Sequence, residues 1–232
     1  MDSLPIVLVP GLLCSPRLYL EQLPELWRFG PVTIADHTRD DTMGEIARRL
    51  LDAAPPRFAL AGLSMGGYLA FEVLRQAPER VARLALLDTA AQPDTPEISE
   101  RRRSQVAMAR DGRLAEVVDQ LMPVLLHPNH RDDPRLRAVA HQMARETGPE
   151  AFARQEAAII ERPDSHPDLG GIRCPTLVLV GEADALTPPE RSMEMAEGIP
   201  GARLVTVAGA GHLSTIERPE AVTRALVEWL SA

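Results

Sequence analysis

Six short runs of apolar residues recur along the chain, separated by segments in which apolar residues have a different spacing. The runs lie at 5–10, 31–36, 57–62, 83–88, 175–181 and 202–208. Their apolar positions are continuous rather than alternating, which is typical of strands buried on both faces of a parallel sheet. The pattern therefore predicts a mostly parallel sheet of about six strands.

The segments between most of these runs carry apolar residues at helical spacing. Helices are predicted near 42–54, 65–77, 189–198 and 218–231. In the second of these, Leu69, Val73 and Ala77 fall on one stripe before Pro78 ends the pattern. An alternation of strands and helices favours a doubly wound α/β fold with helices on both faces of the sheet.

The alternation is interrupted between about Pro93 and Asp168, where only helical patterns occur. Leu114, Val118 and Leu121 are spaced as on one helix face, and prolines stand at both ends of the stretch. An all-helical segment between two core strands has to lie at the edge of the sheet or over its top. We therefore interpret 93–167 as a small helical lid inserted into a core formed by 1–92 and 168–232.

Composition and charge narrow the class of protein. The chain has 232 residues, 45% of them hydrophobic, which is enough for one α/β domain with a substantial core. A net charge of −8 argues against a nucleic-acid or anionic-membrane surface. Cys14 and Cys174 are far apart and have no C-x-x-C partner, so neither a disulfide nor a zinc site is expected.

The N-terminal segment does not have the pattern of a signal peptide. It carries Asp2 where a signal peptide has positive charge, and Pro5 and Pro10 interrupt its apolar run. No run approaches the length of a membrane span. We expect a cytoplasmic protein that does not bind membranes.

One short motif combines a serine with flanking glycines at the junction of a predicted strand and a predicted helix. It reads Gly62-Leu63-Ser64-Met65-Gly66, a G-x-S-x-G pattern. The bare pattern would occur by chance in about one chain in ten of this length. Its position is more informative, because such a turn strains the serine backbone and exposes its oxygen. A tight turn that only needs glycine remains the alternative.

Two further residues follow later predicted strands. Asp184 comes just after the run 175–181, and His212 lies in a glycine-rich loop after the run 202–208. In open α/β sheets, binding and catalytic sites form at the carboxyl ends of the strands. Asp88 ends the run 83–88 and Glu182 is close to Asp184, so both are alternatives for the acid.

The motifs as a set resemble the α/β-hydrolase fold, esterase and lactonase branch, over nearly the whole chain. The residues that carry the resemblance are 9–16, 62–67, 181–189 and 209–222. The resemblance implies that Ser64 is the nucleophile, His212 the general base and Asp184 the acid that orients it. It also implies an oxyanion hole formed by the backbone N–H groups of Met65 and Leu12, with Gly62 and Gly66 shaping the turn.

Two departures from the family pattern affect these expectations. Pro10-Gly11 stands where many members have His-Gly, so the oxyanion loop must be anchored differently. The chain also starts directly at its first predicted strand, without the usual leading hairpin, which favours six strands over eight.

The expected function is hydrolysis of small carboxylic esters or lactones by a serine hydrolase that needs no cofactor or metal. Its partner would be a small acyl substrate, held in an aliphatic pocket near Leu13, Leu186 and Leu213. Hydrolysis of a thioester or a carbon–carbon bond by the same triad stays open, as does a hydrolase-like binder without turnover. The sequence favours neither a monomer nor a homodimer.

The remaining histidines and the basic run 100–104 have simpler interpretations. The histidines are expected to be solvated at the surface, and H-P-N-H lacks a third metal ligand: His37, His127, His130, His141 and His166. The run 100–104 is expected to be a charged helix face.

Overall fold

Six parallel strands form a single sheet in the computed structural model, which describes residues 3–232. The strands are β1 (Ile6–Val9), β2 (Val32–Ile34), β3 (Phe58–Leu63), β4 (Val81–Leu87), β5 (Thr176–Gly181) and β6 (Arg203–Val207). Their order across the sheet is β2-β1-β3-β4-β5-β6, and every pairing is parallel. The predicted α/β class is confirmed. Asp2, which the signal-peptide argument used, lies outside the described residues.

Ten helices accompany these strands within the described residues. They are α1 (Leu23–Leu26), α2 (Met43–Ala53), α3 (Met65–Gln76), α4 (Pro96–Met108), α5 (Leu114–Leu125), α6 (Pro134–Ile160), α7 (His166–Leu169), α8 (Pro189–Gly198), α9 (Ser214–Glu217) and α10 (Pro219–Ser231). The four helices predicted in the core are α2, α3, α8 and α10. The short α1 and α9 were not predicted.

Alternate residues of each strand contribute to different halves of the core, because side chains of a strand point to opposite faces. Ile6 and Leu8 of β1 belong to the cluster that includes Leu226 of α10. Val7 and Val9 belong to the cluster on the other face, which includes α2, α3 and α8. The sheet is thus covered by helices on both faces, as the sequence predicted.

The two edge strands differ from the expectation of complete burial. In β2, Val32 and Ile34 are only partly buried and Thr33 is exposed. Leu204 in β6 is 37% exposed. Arg203 and Thr206 of β6 are also exposed. The continuous apolar runs therefore predicted more burial than β2 and β6 have, because an edge strand has a neighbouring strand on one side only.

The segment 93–167, here called the helical insert, connects β4 to β5 through α4, α5 and α6. Glycines with positive φ interrupt its helices, at Gly112 (φ 82°) and Gly148 (φ 77°). Residues 126–133 contain only a short 3-10 turn, so the insert is less continuously helical than expected. Its role as a lid stays a prediction.

A cluster of ion pairs joins the two ends of the insert. Arg102 of α4 contacts Asp94 at 2.5 Å and Glu156 of α6 at 2.9 Å. Arg162 contacts the other oxygen of Asp94 at 2.8 Å. The run 100–104 was expected to be a charged, solvated helix face. Arg102 departs from this expectation, because its side chain is only 13% exposed.

The parallel arrangement brings every strand's carboxyl end to one edge of the sheet. Ser64 follows β3, Asp88 follows β4, Asp184 follows β5 and His212 follows β6. The loops after β1 and β2 lie at the same edge. All the residues that could carry the chemistry are therefore brought to the edge at which open α/β sheets form their sites.

Candidate active site

The turn that presents Ser64 has a strained backbone. Ser64 has φ 56° and ψ −115°, between the last residue of β3 and the first of α3. Only two other non-glycine residues in the described chain have positive φ, Leu13 and Asp88, and both also follow strands at this edge. Clustering of such conformations at one place is typical of a functional site.

The glycines on either side of Ser64 are required by close backbone approaches. A Cβ at Gly62 would meet the carbonyl group of Gly66, and a Cβ at Gly66 would meet the carbonyl of Val9. A Cβ at Gly67 would meet the Thr89 side chain. The turn can therefore close only with glycine at these positions.

A buried histidine and carboxylate lie beside this turn. His212 Nδ1 and Asp184 Oδ2 are 2.8 Å apart, and both side chains are almost completely buried. Asp184 Oδ1 accepts the N–H groups of Leu186 and Thr187, both at 2.9 Å. The Thr187 hydroxyl donates to Asp184 Oδ2 at 2.7 Å. The carboxylate is thus held by four groups and can orient the imidazole.

The electrostatic environment favours a protonatable His212. Burial lowers the pKa of His212, but the adjacent Asp184 carboxylate, together with Asp88 and Glu217, raises it by more, so the pKa lies above its ordinary value of 6.5. A proton on Nδ1, facing the carboxylate, leaves Nε2 as the nitrogen that can accept a proton. This is the arrangement that a general base requires.

Ser64 and His212 line the same cavity. No hydrogen bond joins the Ser64 hydroxyl to His212 within residues 3–232. Hydrogen bonds of this kind are often long without substrate and shorten in the substrate complex.

The two alternative acids occupy other positions. Asp88 Oδ1 accepts the Gly181 N–H at 2.8 Å, and Oδ2 accepts the Ser214 hydroxyl. Burial, and then the Asp184 carboxylate, raise the pKa of Asp88 well above its usual range. Glu182 accepts the Gly209 N–H and is 47% exposed. Of the three carboxylates, the structure pairs Asp184 with His212.

Two backbone N–H groups remain available near Ser64. Met65 is the first residue of α3, where N–H groups have no partner inside the helix. Neither its N–H nor that of Leu12 has an acceptor among residues 3–232. Leu12 lines the cavity beside Ser64.

The cavity next to Ser64 is lined almost entirely by aliphatic side chains. From the core come the predicted Leu13, Leu186 and Leu213, together with Cys14. From the helical insert come Val118, Leu121, Leu125, Ala140, Met143 and Ala144. Its volume is about 50 Å³, which is more than one water molecule requires. The insert therefore builds much of the wall that faces Ser64.

A model of the alpha/beta hydrolase fold family matches residues 9–219, most of the 232-residue chain. The chain belongs to the α/β-hydrolase fold family. Its sequence resemblance to that family is thereby confirmed.

Relatives of this hydrolase include solved and curated enzymes. The structure of a thermophilic esterase from Thermogutta terrifontis is 35% identical, covers 98% of this chain and 89% of that one, and has a TM-score of 0.90. The enol-lactonase from Burkholderia xenovorans LB400 is 27% identical with coverages of 100% and 93% and a TM-score of 0.89. A pimeloyl-(acyl-carrier protein) methyl ester esterase of Nitrosomonas europaea is 26% identical over 87% of this chain and 84% of its own.

Three of the histidines in this hydrolase are less exposed than expected. His37 is only 3% exposed, and its Nε2 lies 3.0 Å from the Gly11 carbonyl oxygen. The parallel pairing of β1 with β2 explains this, because the loops after neighbouring strands meet. The side chains of His127 and His130 are 14% and 18% exposed. The expectation of solvated histidines was wrong at His37, whereas His127 and His130 are partly exposed.

Glu217 holds the two histidines of the H-P-N-H segment and was not singled out in the sequence. Its Oε1 accepts the N–H of Gly211, the residue before His212, at 2.8 Å. Its Oε2 accepts the His127 N–H at 2.8 Å and contacts His130 Nδ1 at 2.9 Å. Glu217 thus connects the loop of the catalytic histidine candidate to the insert.

The sequence predicted neither a metal site nor a membrane-spanning segment. No group of three or more potential metal ligands occurs among residues 3–232. In the same part of the chain, no helix combines the length and apolar character needed to cross a bilayer.

Proposed function

We propose that this hydrolase cleaves carboxylic esters or lactones of short aliphatic acids through an acyl-enzyme formed on Ser64. The observation that carries the proposal is the cavity shared by Ser64 and His212, with His212 Nδ1 at 2.8 Å from Asp184. The similar esterase and enol-lactonase structures support this reaction class.

The first half of the proposed reaction forms the acyl-enzyme. Ser64 Oγ attacks the substrate carbonyl carbon while His212 Nε2 accepts the hydroxyl proton. The Asp184 carboxylate stabilises the resulting imidazolium. Negative charge on the former carbonyl oxygen is stabilised by the N–H groups of Met65 and Leu12. His212 then donates its proton to the departing alkoxide, which leaves as the alcohol.

The second half regenerates the enzyme. A water molecule gives a proton to His212 and attacks the acyl carbon, and the bond to Ser64 Oγ breaks as that oxygen takes the proton back. The products are the carboxylic acid and the free serine. A lactone follows the same steps, and its alcohol and acid remain on one molecule.

The cavity supports a short and uncharged acyl group. Its walls are aliphatic, and its free volume is about 50 Å³. A charged acyl chain would lose its hydration without gaining an ion pair, which is strongly unfavourable.

A panel of substrates tests this function. We expect kcat/KM on p-nitrophenyl esters to be highest at two to four acyl carbons and to fall by eight carbons. Simple γ- and δ-lactones, thioesters and β-diketones in the same panel separate the alternative reactions. Ser64→Ala serves as the blank, and wild-type turnover by that variant would refute the proposal. A ligand that raises Tm without any Ser64-dependent product would indicate a binder instead.

A further inference from the structure

The peptide unit between Gly11 and Leu12 is held at its carbonyl end. The Gly11 carbonyl oxygen accepts a hydrogen bond from His37 Nε2 at 3.0 Å and another from the Cys14 N–H at 3.1 Å. The N–H of the same peptide unit belongs to Leu12, the second oxyanion donor of the proposed function. A peptide unit is planar and trans, so its N–H points opposite to its carbonyl. Any group that fixes the Gly11 carbonyl therefore also fixes the direction of the Leu12 N–H.

We propose that His37 is a positioning residue for the oxyanion hole, which it orients by donating from Nε2 to the Gly11 carbonyl. The inference rests on the proposed function, because it assumes that the Leu12 N–H meets the oxyanion. A hydrogen bond to the carbonyl also polarises the amide and strengthens its N–H as a donor. His37 thus anchors the loop that carries Pro10-Gly11 from its carbonyl side.

The state of the imidazole suits this role. The Gly11 carbonyl can only accept, so the His37 proton must be on Nε2. Burial lowers the pKa of His37, and the opposing effects of the Gly11 carbonyl and Asp36 do not cancel this. The ring is therefore neutral at neutral pH and adds no net charge beside the oxyanion hole.

A second buried side chain holds the next peptide unit. The Leu13 N–H donates to Gln155 Oε1 at 3.1 Å, and Gln155 is completely buried in α6 of the insert. Leu13 has φ 57°, a left-handed conformation that a leucine adopts only when its surroundings impose it. His37 from the core and Gln155 from the insert thus hold consecutive peptide units of one loop.

The test compares two nearly isosteric substitutions. His37→Gln keeps an N–H donor at about the position of Nε2, whereas His37→Met fills a similar volume without a donor. On a short p-nitrophenyl ester, we expect His37→Met to lower kcat about 10- to 100-fold with KM changed less than about threefold, a smaller loss than removal of an oxyanion donor itself. His37→Gln should recover kcat to within about fivefold of the wild type.

Binding of an inhibitor that occupies the oxyanion hole distinguishes a loss of oxyanion stabilisation from a general loss of packing. An alkyl boronic acid forms a tetrahedral adduct with a serine, and one adduct oxygen occupies the oxyanion hole. Its inhibition constant should weaken in His37→Met by the same factor as kcat, and recover in His37→Gln. Equal losses in both variants, or a full kcat in His37→Met, would overturn the proposal.

Measurement of Tm and a parallel assay of Ser64→Ala separate failure of the positioning role from misfolding and from failure of the proposed function. Tm is measured for each variant, and if His37→Met does not fold, His37→Leu replaces it as a second variant without a donor, with the same expected loss in kcat. An unaltered kcat in His37→Leu would then contradict the proposal. Ser64→Ala is assayed in parallel. Its activity at the wild-type level would refute the proposed function, whereas inactive Ser64→Ala with fully active His37→Met refutes the positioning role alone.

Discussion

At the scale of single residues, the candidate site depends on the Asp184 carboxylate, both of whose oxygens have hydrogen-bond partners. Asp184 accepts from the Leu186 and Thr187 backbone and the Thr187 hydroxyl, and its Oδ2 faces His212 Nδ1. Asp88 is equally buried but contacts Gly181 and Ser214 instead. The two aspartates therefore have different roles, and substitutions can separate them.

Asp184→Asn should lower kcat by about three to four orders of magnitude, because an amide favours the wrong tautomer of His212 and cannot stabilise its cation. Asp88→Asn is the matched control. Its amide can still accept from the Gly181 N–H, and its NH₂ can donate to the Ser214 oxygen, so kcat should stay within about fivefold. Steady-state kinetics on one ester compares them. The assignment fails if Asp88→Asn loses more activity than Asp184→Asn.

The pH dependence of kcat/KM should report His212. The base must be neutral to accept the proton of Ser64, and the Asp184 carboxylate raises the pKa of His212 above 6.5. Activity should therefore fall as the pH decreases through a midpoint above 6.5. Asp184→Asn removes the group that raises this pKa, so the residual activity should have a lower midpoint. A midpoint that does not move in this variant would contradict the pairing.

The close approach of Gly66 to the backbone of β1 is also a requirement on a single residue. Gly66→Ala would place a Cβ against the Val9 carbonyl, so the strand or the turn must shift. We expect a loss of about 1 to 3 kcal/mol in the free energy of unfolding and a large loss of kcat. Gly170→Ala is the control, since a Cβ at that position would have no neighbouring atom within 4 Å. Chemical denaturation measures both variants, and equal stabilities would show that the turn tolerates a side chain.

At the scale of elements, α5 and α6 of the insert line the cavity and are expected to determine which acyl groups fit. Met143 lines the cavity beside Ser64, whereas Met122 is equally buried in the insert but does not line it. Specificity is therefore expected to follow position in the insert rather than burial.

Met143→Ala should move the preferred acyl chain to longer esters by about two carbons, because it extends the cavity. Met122→Ala should leave the preference unchanged while it destabilises the fold comparably, by about 2 to 5 kcal/mol for either substitution. The measurement is kcat/KM over a series of acyl chain lengths. The same shift in both variants would show that general loosening, and not the cavity wall, sets specificity.

Elements with local signals were predictable from the sequence. The strands around Ser64 and the glycines at 62 and 66 follow from patterns within a few residues. His37, Gln155 and Glu217 were missed, because their roles come from contacts with distant residues. Gln155 contacts Leu13, 142 positions away. Only a prediction that β2 pairs with β1 could have indicated His37, because that pairing brings the loop after β2 beside the loop after β1.

At the scale of the whole molecule, the ion-pair cluster holds the two ends of the helical insert together. Asp94 and Arg102 lie near the entry of the insert, and Glu156 and Arg162 near its exit. These side chains are mostly buried, so removal of one partner leaves a buried charge. The position of the insert over Ser64 is therefore expected to depend on the cluster.

Arg102→Met should lower the free energy of unfolding by ~3 kcal/mol, because the buried Glu156 carboxylate loses its partner. In a domain of this size, such a loss corresponds to a decrease in Tm of about 6 to 12 °C. Arg103→Met is the control, since Arg103 is 57% exposed and its ion pair is with the exposed Glu100. The Tm of this variant should change by about 2 °C or less. Equal values of Tm for the two variants would contradict a structural role of the cluster.

The proposed function depends most directly on Ser64 as the nucleophile of this hydrolase. Labelling with an alkyl fluorophosphonate, followed by intact mass and peptide mapping, tests it most directly. We predict one adduct per chain, on the peptide that contains Ser64, with loss of esterase activity in proportion to labelling. Ser64→Ala should remain unlabelled and inactive. Labelling at another residue, or wild-type activity in Ser64→Ala, would contradict the account.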